Sequence, residues 1–180
     1  MIDAIERLWR RLLLMIGRGR ITAADDTGPV QKLQLQLGAE ELKDNTPRLA
    51  EYGLASMPPA GSDAVLLFLA GERTNGVVIA TGNQTWRMRG LASGEVALHD
   101  DKGQCIYLSS DGIRIDGGGK PIQIANTPSV LFDTPQLRVT GSIVADGDVS
   151  DQGGAKSMAG MRAAYDAHHH GSSPTTDNPM

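Results

Sequence analysis

Near the N-terminus, Ile5, Leu8, Trp9, Leu12, Leu13 and Ile16 recur at three- and four-residue steps, with Arg7, Arg10 and Arg11 set between them. This is the spacing of an amphipathic helix, assigned here to residues 1–17 and ended by Gly17-Arg18-Gly19. Such a helix docks on its own domain or on a partner subunit, or it lies on a membrane surface. The apolar run from Leu12 to Ile16 is shorter than the roughly 7–15 residues of a secretory signal. Beyond it the period changes from helical to two. Val30 to Leu37 alternates, with Leu33, Leu35 and Leu37 on one side, and Ala64 to Leu69 is a continuous apolar strand. Thr74-Asn75-Gly76 is a hairpin signal before Val77-Val78-Ile79. Four or five strands in about 70 residues predict a small OB-like barrel over 18–90.

After Gly90 the texture is different. Apolar residues pair at i and i+2: Val96/Leu98, Ile106/Leu108, Ile113/Ile115, Ile122/Ile124, Val130/Phe132 and Leu137/Val139, followed by Ile143 and Val149. Turn compositions such as Ser-Ser-Asp-Gly and Asp-Gly-Gly-Gly separate them. A strand ladder with a step of about six to ten residues is a solenoid signature. A ribbon with one apolar stripe cannot cover that stripe itself. A single-chain β-helix would also need roughly 18–25 residues per coil, so this stretch would complete only about three. Three identical ribbons around one axis would bury every stripe and pair every edge. The fold class expected is therefore all-β: the N-terminal OB-like barrel, then an intertwined trimeric β-helix over 91–154, then a metal-binding tip over 155–180. Met158, Met161 and Tyr165 have helix-like spacing within that tip.

Composition agrees with thin layers rather than one thick core, since aromatics are 4% and glycines number 22 in 180 residues. The net charge of −4 argues against nucleic acid, which leaves a basic footprint on its binders. Cys105 is the single cysteine, so no intrachain disulfide forms. No apolar run approaches the roughly 20 residues of a membrane span.

Three of the four histidines form the tripeptide His168-His169-His170. In an extended segment His168 and His170 point to one side and His169 to the other. Two imidazoles hold no metal alone, but three chains supply six nitrogens, a set suited to an octahedral transition metal such as iron or nickel. A solvated tripeptide or the remnant of an affinity tag fits the same residues. A catalytic zinc site would need further ligands, and only Asp166, Asp177 and the distant His99 are available. No nucleophile elbow or Cys–His arrangement occurs. Asp116 to Lys120 reads as a turn rather than a phosphate loop, and Cys105 falls on the outward phase of a strand. Asp146, Asp148 and Asp151 read as solvated turns, with a calcium site between chains as the other reading.

The order of these parts, with Met158-Ala-Gly-Met-Arg-Ala-Ala-Tyr165 and His168-His-His-Gly171 before a Pro-containing end, resembles the baseplate assembly protein V family of contractile-tailed phages, most closely the central spikes of Mu-like phages. The resemblance spans essentially the whole chain. It implies a homotrimer in the virion, assembled in the host cytoplasm, whose N-terminal part attaches to a baseplate hub. Its β-helix would be a rigid needle that punctures the host outer membrane on sheath contraction. It implies no enzyme activity, no nucleic acid and no small-molecule substrate. It also implies one iron ion per trimer, held by His168 and His170 of each chain. A trimeric surface-binding fibre, or the spike of a related contractile secretion machine, is the alternative.

Overall fold

The computed structural model describes residues 2–169 and 171, and these divide into a unit ending at Gln123 and a second beginning at Ile124. Strand is the dominant regular structure, as the period-two pattern requires. The first unit begins with helix α1 (Ile2–Leu13), followed by β1 (Ile16–Asp25), β2 (Lys32–Gln36), β3 (Leu42–Pro47), β4 (Asp63–Phe68) and β5 (Gly76–Gly82). These five strands form one antiparallel sheet in the order β3-β2-β1-β4-β5. Strand β1 serves two partners: Ile16 to Arg20 pair with β4, and Arg20 to Asp25 pair with β2. A register shift between Ile21 and Ala23 lies where it changes partner, as expected of a bulge that bends a strand. The two edge strands are brought together at a single parallel bridge, Arg48 to Val78, beside which Leu49 N–H donates to Val78 O at 2.9 Å.

Alternation decides the core. Leu33 and Leu35 of β2, Ala64, Leu66 and Phe68 of β4, Val78 of β5 and Ile21 of β1 are buried together, with Ala24 and Leu37 packed against them. The apolar run Ala64 to Leu69 thus behaves as a half-buried strand, and Leu69 leaves it for a short 3-10 turn.

One boundary differs from the sequence expectation. Helix α1 ends at Leu13 rather than residue 17, and Gly17 and Gly19 lie inside β1. Their role is close approach, not helix termination. A Cβ on Gly17 would sit 2.7 Å from the Phe68 ring, and one on Gly19 would sit 2.6 Å from Leu37 Cδ2 and 2.8 Å from Gln36 O. Gly19 faces backbone, which gives way less readily than a side chain. Gly19→Val is therefore expected to lower the thermal midpoint of this unit, and Gly17→Ala to lower it less because the Phe68 ring shifts more readily. Paired melts of the two variants would check that order.

The same unit carries a second sheet of β6 (Val96–His99), β7 (Cys105–Ser109) and β8 (Gly112–Asp116), an antiparallel meander in sequence order. Among the described residues from 117 to 149 no further strand follows. The expected strand series is therefore regular only for its first three apolar pairs. The rest of the ladder has no paired edge within one chain, and an extended segment without a hydrogen-bonding edge is not a strand. In the second unit, β9 (Ser150–Asp151) pairs with β10 (Lys156–Ser157), and helix α2 (Met158–Asp166) follows.

Candidate assembly surface and metal centre

The register of the second sheet sorts its side chains. Val96 is opposite Leu108, which is opposite Ile113; Leu98 is opposite Ile106, which is opposite Ile115. Directly opposed residues share a face, so the first three ladder pairs form two rows of three aliphatic side chains on one face. All six are exposed, at 40–73%. The other face carries Ala97, Tyr107 and Arg114, and then His99, Cys105 and Asp116. Cys105 is half-buried there, on the side away from the aliphatic rows.

Polar contacts organise that second face. The Tyr107 hydroxyl donates to the Glu95 carboxylate, which also accepts from Ala92 N–H at 2.8 Å and Ser110 N–H at 3.4 Å. The Tyr107 hydrogen bond, helped by the Ala92 amide, holds the Glu95 carboxyl below its ordinary range, and the same bond pushes the Tyr107 phenol up. A lowered carboxyl pKa contributes stability above the ordinary value of about 4.3 and loses it as pH falls through the folded-state value. The stability of the β6–β8 sheet is expected to fall on acidification below that range. Glu95→Gln should flatten the acid limb, as read by melts at successive pH values. At the β6–β7 turn, Asp100 accepts from Lys102 N–H and Gln104 N–H, both at 2.9 Å. His99 sits at the end of β6, where its Nε2 accepts from Met88 N–H at 3.4 Å, so it serves the loop above it. Asp116 likewise caps its own turn, accepting from Gly118 N–H at 2.9 Å.

From residue 121 to residue 150 every side chain is exposed. Ile122, Ile124, Val130, Phe132, Leu137, Val139, Ile143 and Val149 are all among them, with Leu131 at 86% and Val144 at 88%. Single exposed apolar residues are ordinary, whereas many along one stretch of chain mark an interaction surface.

The tip is tied by Asp148. Its Oδ1 accepts from Val149 N–H at 2.9 Å and from Ala159 N–H at 3.0 Å. The Ser157 hydroxyl, which also caps α2 by accepting from Gly160 N–H at 3.1 Å, is the main cause of the lowered Asp148 pKa. Asp148 is thus a cap rather than a free ligand, and Asp151 is a residue of β9. Sequence reading missed this capping pair. Its trace was a serine directly before the helix-spaced Met158, Met161 and Tyr165.

Of the predicted metal ligands, His168 is exposed at the end of α2, its N–H donating to Tyr165 O at 3.1 Å. His169 is exposed, with Nδ1 3.4 Å from Ala167 O. His170 lies outside the described residues, as does most of the polar end. Among the described residues no three His, Cys, Asp or Glu side chains converge on one point. Of the expected donors only His168 is described, and its chemistry is compatible with a transition metal. Imidazole is a ligand for iron, nickel and zinc, and a helix C-terminus immediately before His168 favours a cation.

An all-β chain whose notable surfaces are uncovered apolar faces is a structural protein of assemblies. The Bacteriophage Mu Gp45 N-terminal family model matches residues 18–85, nearly the span of the five-stranded sheet. The chain is 28% identical over 182 residues to the baseplate puncturing device gp45 of Escherichia phage Mu, across 96% of this chain and 92% of that one. It is also 30% identical over 144 residues to the Mu-like prophage FluMu protein gp45 of Haemophilus influenzae, across 77% of this chain and 79% of that protein. The chain belongs to the Mu gp45 family, whose members are structural proteins and not enzymes.

Proposed function

We propose that this chain is the central spike of a contractile phage tail baseplate, a rigid needle that punctures the host outer membrane when the sheath contracts. The observation that carries the reading is the set of uncovered apolar side chains: two rows of three on β6–β8 in the first unit and, taken by themselves in the second unit, those from Ile124 to Val149. Three copies around one axis bury them. Full burial of an aliphatic side chain contributes roughly 1.5–3 kcal/mol. The six on β6–β8 are about half exposed, so covering them contributes roughly 5–9 kcal/mol per chain. The segment from 121 to 149 gains more, because partner edges also supply its missing hydrogen bonds. A shaft built this way is stiff because its wall is continuously bonded, and it needs no chemistry: sheath contraction supplies the work.

At the base, the five-stranded sheet is proposed to be an OB-like barrel attached to a baseplate hub; the single bridge between Arg48 and Val78 supports that reading without closing the sheet. At the apex, His168 and His170 from three chains would hold one iron ion through six nitrogens. A filled coordination sphere has no open position for substrate, so the metal acts as a fastener that pins three chain ends. Replacing both His168 and His170 by alanine is expected to abolish bound metal on elemental analysis while strand content by circular dichroism is retained. Collapse of the whole fold in that variant would show that the metal builds the shaft rather than fastening its end.

A further inference from the structure

The connection from β3 to β4, residues 48–62, contains no helix or strand, yet it is firmly held. Leu49 N–H is bonded to Val78 O, and the Arg48 guanidinium donates to Gln31 Oε1 at 2.7 Å and to Ser56 Oγ at 2.9 Å. At its tip Leu54 N–H donates to Glu51 O at 3.0 Å, with Gly53 at φ +87°, a tight turn that needs glycine at that position. The turn presents Glu51 and Tyr52 outward. Tyr52 is fully exposed, and the Glu51 carboxylate has no partner among the described residues. A fixed loop holding out a bare aromatic ring suits a contact surface, because the ring supplies buried area and little ordering remains to be done.

The same unit carries a cleft that suits such a tip. Its volume is about 640 Å³, and its apolar lining is Met57, Pro58, Pro59, Trp86 and Leu98. Asn83 builds one wall: its Oδ1 accepts from Thr85 N–H at 2.9 Å and Trp86 N–H at 3.2 Å, and its Nδ2 donates to the buried Ser62 Oγ at 3.0 Å. That turn sets Trp86 beside Arg87. Of the lysine and arginine side chains in the lining, Lys102 pairs with Asp101, while the Arg87 guanidinium has no partner among the described residues. One chain therefore carries an unmatched anion next to an exposed ring, and an unmatched cation next to an apolar cleft. Charge selects the occupant: an identical tip from a second copy answers both at once. Repeated head to tail, such a contact closes into a ring.

We infer that Glu51 and Tyr52 of one copy dock into the Trp86–Arg87 cleft of the next, with Glu51 paired to Arg87. The proposed spike function supplies the number of copies; the contact itself is read from the first unit alone. The experiment co-expresses two full-length chains with tags of different length, one carrying Glu51→Cys and the other Arg87→Cys, both in a Cys105→Ser background. With one thiol per chain, a short bismaleimide can join them only across copies. A mixed two-chain product is expected on a denaturing gel, and Tyr52→Ser in the Glu51→Cys chain should reduce its yield. In the otherwise unaltered protein, Glu51→Arg should lower the thermal midpoint by about 2–4 °C, and adding Arg87→Glu to the same chain should restore it. The proposal is overturned if the assembled protein gives no mixed product, or if the charge swap lowers the midpoint further instead of restoring it. A parent of three-chain mass without the mixed product would sink this contact and leave the spike reading standing. A two-chain parent that still gave the product would sink the spike reading and leave the contact.

Discussion

Placing aspartate at Ile106 and Leu108 is expected to leave the chain monomeric or aggregated while its five-stranded sheet still folds. Both residues belong to β7, the middle strand of the second sheet, and each stands between two aliphatic neighbours, Leu98 and Ile115 for Ile106 and Val96 and Ile113 for Leu108. In a closed three-fold shaft two carboxylates per chain would bring six charges into a shared apolar core without partners. The effective penalty for burying an unpaired ion is several kcal/mol each, more than the roughly 5–9 kcal/mol per chain that covering this sheet supplies. Light scattering would show the parent mass lost, and near-native thermal unfolding of the first sheet would show that folding of the base survived. A single Arg114→Asp change on the opposite face, which loses only an exposed ion pair to Asp116, should leave assembly intact.

The second large effect belongs to the base. Phe68→Ala is expected to cost about 3–5 kcal/mol, enough to unfold a marginal unit. The ring is 1% exposed at the end of β4, with Gly17 and Gly76 lying directly against it. The Arg73 guanidinium stands 4.4 Å from its centroid and the Lys43 ammonium 5.8 Å, so the ring also anchors two cations. Lys43 Nζ then reaches Arg73 O at 2.7 Å, and Arg73 pairs with Glu41, which ties the β2–β3 loop to the β4–β5 connection. Phe68→Leu, which keeps bulk and loses the cation contacts, should cost less than the alanine variant. Denaturant unfolding of the two variants separates packing from cation attraction.

How much of this was written in the chain can be judged element by element. The alternation at Leu33, Leu35 and Leu37 identified β2 and its buried face, because one side of an antiparallel sheet must be apolar. The i, i+2 pairs identified β6, β7 and β8. Their union into one face was not readable, because it depends on which residues the hairpins place opposite each other. The end of α1 was misplaced at Gly17, since a glycine that stops a helix and one that admits an aromatic ring look alike in one dimension. The Asp148–Ser157 cap was hidden for a related reason: Asp148 and Ala159 are eleven residues apart, and a hairpin brings them together. His168 and His170 were singled out from spacing alone. His168 emerges at a helix C-terminus, and the pairing of the two rests on three-fold assembly rather than on any contact within one chain.

The central claim is that three chains complete one another. It is tested most directly by the solution mass of the purified full-length protein, measured by light scattering with light absorption as the concentration signal. With a chain mass of 19.1 kDa, the account predicts a species of about three times that value, near 57 kDa, stable on dilution. A single species at the mass of one chain, with its apolar series exposed and no tendency to assemble, would contradict it.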